Sequence, residues 1–184
     1  MATISCWKVF HLLYLSRPKH DRVLYRVIRK GGIQRILELG LGTARRAERM
    51  LALATAQAEG GATAVRYAGI DLFDTRGEGD GPPMSLKDTY RRLRSSGAKI
   101  QLLPGDPFSA LSRAASSLGP LDLIVISAEV AGPSLSRAWF YLPRLLHSGT
   151  IVYYESLESG KLKPLSARQI TRLATSSVLS RKAA

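Results

Sequence analysis

The chain has 184 residues, 45% of them hydrophobic, which suits one globular domain with a full core. Its single cysteine, Cys6, excludes a disulfide framework and a cysteine-built metal cluster. The formal net charge of +13 turns attention to anionic partners.

From the N-terminus, the apolar stretch Val9 to Leu15 is too short to span a bilayer and carries no small-residue cleavage site. No membrane association is expected, and the cytoplasm is the expected compartment. Arg17 to Lys30 reads as a basic amphipathic helix, started by Pro18 and ended by Gly31. In that helix Val23, Leu24, Val27 and Ile28 are expected to face the fold, and Arg22, Arg26, Arg29 and Lys30 to face water. Ile36 to Leu39 then reads as a buried parallel strand, closing on Glu38-Leu-Gly40-Leu-Gly42. The glycines let the backbone turn sharply and approach a ligand, and Thr43 to Ala58 follows as a run of good helix formers. Strand, glycine turn and helix make a corner suited to a nucleotide-like ligand.

The rest of the chain alternates in the same way. Strands are expected at Arg66 to Asp71, Lys99 to Asp106, Leu121 to Ile126 and Gly149 to Tyr154. Helices are expected at Ser85 to Ser95, Pro107 to Leu118 and Pro133 to Leu146, the last kinked at Pro143. Phe73 to Met84, rich in Gly and Pro, is a loop. Strands separated by helices of this length imply right-handed crossovers and an α/β, doubly wound, mainly parallel Rossmann-like sheet. Few residues follow Tyr154, and they look polar and helical. The sheet is therefore expected to be truncated after the fifth strand, at five or six strands, or to be completed by Thr3 to Phe10.

The glycine corner discriminates between ligands. A dinucleotide fingerprint wants a third glycine where Arg45 stands. Glu38-Leu-Gly40-Leu-Gly42-Thr-Ala44 instead resembles the first motif of class I S-adenosylmethionine-dependent methyltransferases, acid-x-Gly-x-Gly-x-Gly, with Ala44 at the last glycine. The resemblance covers about 120 residues of strand and helix order. It implies S-adenosylmethionine as cofactor, with Glu38 near its methionine part, Gly40 and Gly42 against its backbone, and Asp71 accepting from the ribose hydroxyls. It also places Asp106 near the adenine amino group. Leu72 or Phe73, just past the ribose acid, is a candidate to pack on the adenine face, with a core role equally open. Independently of the resemblance, Asp106 followed by Pro107 makes a good N-cap and first-turn pair.

The resemblance assigns no catalytic residue. The Asn/Asp-Pro-Pro-aromatic motif of base-methylating members is missing after the fourth strand, which reads Ile126-Ser-Ala-Glu129. Ser127 stands where metal-dependent O-methyltransferases keep an aspartate, so no metal ligand set is expected. Glu129 and Glu155 are candidates for a base. His11 and His20 are further candidates if the N-terminal arm folds over the pocket and are otherwise surface residues, and His147 is read as structural.

Charge divides the chain into a basic N-terminal arm (1–34), a cofactor-binding core (35–155) and a basic C-terminal arm (156–184), all within one domain (1–184). Met1 to Leu37 carries eight Lys/Arg against one acid, and Gly160 to Ala184 six against none. If the fold joins the arms, they form one patch for RNA or another anionic partner. Three functions follow: a methyltransferase with a small-molecule or unassigned acceptor, an RNA-directed methyltransferase using the arms, or a non-catalytic S-adenosylmethionine-binding interaction protein.

Overall fold

A computed structural model describes residues 4–58 and 64–182, with side chains to residue 177. At its centre lies a six-stranded sheet: β1 (Arg35–Leu39), β2 (Arg66–Asp71), β3 (Lys99–Pro104), β4 (Leu123–Ile126), β5 (Ile151–Glu155) and β6 (Leu162–Leu165). The order across the sheet is β3-β2-β1-β4-β5-β6, with every pair parallel except β5 and β6. The chain therefore steps outward from β1 to β3, then crosses back to lay β4 on the other side of β1. That reversal opens a crevice at the carboxyl ends of β1 and β4.

Helices α2 (Arg22–Arg29), α3 (Arg45–Ala58) and α4 (Leu86–Arg94) cover one face. Leu24, Tyr25, Met50, Leu51 and Leu93 pack there against Ile36, Tyr67 and Val125. Helices α5 (Pro107–Leu118), α6 (Gly132–Ala138) and α7 (Ala167–Lys182) cover the other. Leu111, Leu135 and Ile170 pack on that side against Leu37, Ile70 and Ile124. Strand residues alternate between the two cores, which is why β4, Leu-Ile-Val-Ile, is apolar throughout and buried throughout.

The sheet reaches six strands, the larger of the two counts expected, because β6 adds an antiparallel edge strand whose Lys163 and Pro164 suit an edge. Two expectations are corrected. The N-terminal segment adds no strand: Cys6–Phe10 is a helical turn (α1) that runs into a π-helical turn at His11–Leu15, and Thr3 lies outside the described residues. The helix expected over 133–146 ends at Ala138 and resumes as a 3₁₀ turn at Leu142–Leu145. Pro143, lacking an N–H, sits inside that turn.

The basic arms follow the same division. Helix α2 anchors by Leu24, Tyr25 and Ile28 on the α3 face, with Val23 and Val27 only half-buried, and α7 anchors by Ile170 on the α6 face. Each amphipathic helix is held by its own apolar stripe, and the sheet lies between them. The two arms therefore do not form one phosphate-binding patch.

Candidate functional site

The glycine turn leaves β1 at the crevice. Gly40, Gly42 and Ala44 all have positive φ, at +79°, +57° and +57°. The left-handed Ala44 explains why the resembled motif has glycine there. The sequence-based role of Gly40 changes, however. A Cβ on Gly40 would lie 2.6 Å from Val130 Cγ2 and 2.9 Å from Ser127 Cβ. Gly40 is required by the loop after β4, before any ligand is considered. A Cβ on Gly42 would meet the Glu129 carboxylate, at 3.3 Å.

Asp71 ends β2 and is 8% exposed. Its Oδ2 accepts from the Leu41 N–H (2.7 Å) and Arg76 Nη2 (2.8 Å), and its Oδ1 from Arg76 Nε (2.9 Å) and the Phe73 N–H (3.3 Å). The first bond ties the glycine turn to β2. The two from Arg76 form a bidentate pair that occupies the carboxylate. Arg76, in the Gly-rich loop, is a residue that sequence reasoning missed; only its spacing five residues past Asp71 could have flagged it. Its guanidinium is stabilised in the charged form by the hydrogen bonds to Asp71, against the opposing effect of burial.

Asp106 N-caps α5. It accepts from the N–H groups of Phe108 (3.0 Å) and Ser109 (3.2 Å) and from the hydroxyls of Ser109 and Ser134. Burial alone would raise its pKa, but these donors hold it down to about 2. The capping role is therefore realised. Asp71, Leu72, Arg76, Asp106 and Glu129 line a cavity of about 310 Å³ at the carboxyl ends of β2 and β3. Phe73 is buried in the core beneath it.

Glu38 is not at this cavity. It alternates to the α3 face with Ile36, is 0% exposed, and accepts from Arg46 Nε (2.7 Å) and Tyr67 Oη (2.6 Å). Burial raises its pKa, opposed chiefly by the Arg46 charge. Arg46, in the first turn of α3, also donates to Gly40 O (3.3 Å) and to Glu155 Oε2 (3.1 Å), and lies 3.7 Å from Asp21 Oδ1. Sequence reasoning took Arg46 for a helix former only.

Around Arg46 lies a second cavity of about 350 Å³, lined by Gly42, Arg46, His20, Asp21, Ser127, Glu129 and Glu155. His20 is not a plain surface residue: the N-terminal arm brings its Nε2 to 3.2 Å from Glu155 Oε1 and 3.6 Å from Asp21 Oδ1. Asp21 is 3% exposed, and its Oδ1 is buried without a hydrogen-bond donor. Burial raises its pKa, opposed by Arg46 and His20. Glu129 lines both cavities, and burial raises its pKa too, with Arg76 opposing. His147 bonds Asp122 (3.1 Å) at the far, amino-terminal edge of the sheet, as expected. His11 is exposed and lines none of these cavities. No cluster of three or more His, Cys, Asp or Glu suited to a metal occurs among the described residues. No helix among them is long and apolar enough to cross a membrane.

Known proteins place this architecture. No protein-family model and no curated protein sequence matches the chain. Solved structures do. A TDP-rhamnose 3′-O-methyltransferase of calicheamicin biosynthesis aligns over 95% of this chain and 78% of its own, with a TM-score of 0.61 and 15% identity. The O-methyltransferase TomG from Streptomyces achromogenes, solved with S-adenosylmethionine, covers 96% and 79%, with a TM-score of 0.55 and 13% identity. An O-methyltransferase from Bacillus cereus, solved with S-adenosylhomocysteine, covers 96% and 80%, at 0.53 and 14%. The fold is that of class I methyltransferases. Its crevice carries the two cavities described above.

Two variants test this geometry. Gly40→Ala adds strain at positive φ and a clash with Val130, and is expected to cost at least about 2 kcal/mol in urea unfolding. Arg46→Ala strands Glu38 and is expected to cost about 3–5 kcal/mol at pH 7. A buried carboxyl with raised pKa favours the fold when protonated, and that contribution is lost as pH rises from its ordinary value of 4.5 through the folded pKa. Losing Arg46 raises the Glu38 pKa further. The Arg46→Ala penalty should therefore be smaller at pH 4.5 than at pH 7.

Proposed function

We propose that the protein is an S-adenosylmethionine-dependent methyltransferase acting on a hydroxyl of a small acceptor. The observation that carries this reading is the meeting of two cavities across the glycine turn, with Glu129 lining both. The cavity at β2 and β3 fits a nucleoside: Asp71 offers a diol acceptor, Leu72 an apolar wall, and Gly40 and Asp106 the rim. Glu38 acts at one remove, by fixing Arg46 beside the turn. The whole chain is read as one unit, the N-terminal arm contributing His20 to the core.

S-adenosylmethionine supplies an electrophilic methyl on a sulfonium, and cleavage of that S–C bond leaves a neutral thioether. This chain aligns the acceptor and takes its proton. His20 would take the proton of the acceptor hydroxyl. His20 Nε2 lies 3.2 Å from Glu155 Oε1 and 3.6 Å from Asp21 Oδ1, so the two carboxylates fix the ring's position. Arg46, on the other oxygen of Glu155, holds that carboxylate in place.

Isothermal titration with S-adenosylmethionine tests the cofactor assignment. Asp71→Ala should weaken binding about 10- to 100-fold, the worth of a hydrogen bond to a charged group. Ribose hydroxyls must compete with Arg76 for Asp71, so Arg76→Ala should bind more tightly than wild type. Undetectable binding to the wild type at millimolar ligand would remove the assignment.

His20→Gln tests the base. At neutral pH, kcat should fall by about 10²-fold or more while S-adenosylmethionine affinity holds. The deficit should shrink as pH rises and the acceptor ionises by itself. An unchanged pH–rate profile would exclude His20 from proton transfer.

A further inference from the structure

A further cavity, of about 630 Å³, lies between α1, α3 and α4 and belongs to neither of the two already described. Ile4, Leu12, Ala52 and Leu93 make its apolar surface, and Lys8, Arg45, Arg49 and Arg92 its charge. Glu48 is the single acid lining it, and Arg92 Nε already holds that carboxylate at 2.9 Å. Among the described residues, Lys8 and Arg45 have no carboxylate within 4 Å.

Arg45 carries a second observation. It is the first residue of α3, where the helix dipole disfavours a cation. Its neighbour Arg46 is compensated there by Glu38 and Glu155, whereas no acid compensates Arg45. Both the uncompensated charge and the amide end of the helix attract an anion. Arg45 and Arg49 also line the His20 cavity, so the two spaces are neighbours across one pair of guanidinium groups.

We propose that this cavity binds the anionic part of the acceptor, a phosphate-bearing small molecule whose hydroxyl reaches His20 in the adjoining cavity. The volume lies within the range of ordinary ligand sites. The apolar surface suits an organic body, and the excess of three cations over acids suits a phosphomonoester or diphosphate. The acceptor's role rests on the methyltransferase reading, but anion binding at this site does not.

The test uses the full chain and inorganic pyrophosphate, followed by NMR titration. Saturable shifts at the Lys8, Arg45 and Arg49 amides are expected, with affinity falling as salt rises. Lys8→Ala and Arg45→Ala should each weaken binding about tenfold or more. S-adenosylhomocysteine affinity in Lys8→Ala should match wild type, separating this site from the cofactor cavity. Pyrophosphate binding here without S-adenosylhomocysteine binding to wild type would support the anion site and sink the methyltransferase reading. Shifts elsewhere, or affinity unchanged in both variants, would overturn the proposal. So would poly(U) binding through these residues more than about 100-fold tighter than pyrophosphate, which would mark a polymer partner.

Discussion

The site is organised by one guanidinium. Arg46 reaches Glu38 on β1, the carbonyl of Gly40 in the turn and Glu155 at the end of β5, and lies within ion-pair range of Asp21 in the N-terminal arm. Three segments, the end of β1 with its turn, the end of β5 and the N-terminal arm, are thereby pinned to the first turn of α3. The arrangement is demanding, because Arg46 stands at a helix N-terminus and Glu38 is wholly buried. Each charge is tolerable only in the presence of the other, so the glycine turn, β5 and the arm keep their relative positions while the pair persists.

A parallel arrangement holds the opposite cavity. Asp71 ties the glycine turn to β2 through the Leu41 amide and is clamped by Arg76 from the Gly-rich loop. The carboxylate is thus a structural tie, with both of its oxygens engaged by the turn and by the Gly-rich loop. Glu129 stands between the two cavities, its charged form disfavoured by burial and supported chiefly by Arg76.

The distribution of basic residues acquires a different meaning in three dimensions. The two basic arms are amphipathic helices on opposite faces, and their cations belong to two separate surfaces. The cations gathered around the cavity between α1, α3 and α4 join Lys8 of the N-terminal arm to Arg45, Arg49 and Arg92 of a core that is neutral on balance in the sequence. Net charge by segment is a one-dimensional quantity, whereas a binding field depends on which side chains share a concave surface.

The sequence by itself determined the alternation of strands and helices, the strand–glycine–helix corner and the Asp106–Pro107 cap. These rest on local physics: apolar runs covered on both faces, φ values that need glycine, and a carboxylate within reach of its own helix amides. It also determined that Asp71 and Glu155 stand at strand ends. Only the tertiary structure decided their partners. Arg46 and Glu155 are 109 residues apart. His20 joins Glu155 because α2 docks on α3, a matter of apolar packing with no trace in the residues around His20. Glu38 turned from a ligand-facing acid to a buried anchor because the pleat points it at α3 rather than along the strand. The sequence left five or six strands open because a four-residue edge, with Lys163 and Pro164, has one partner and little apolar pattern to show. Backbone-local preferences are written in short stretches of sequence, whereas charge pairing depends on which distant segments the packed core brings within a few ångströms.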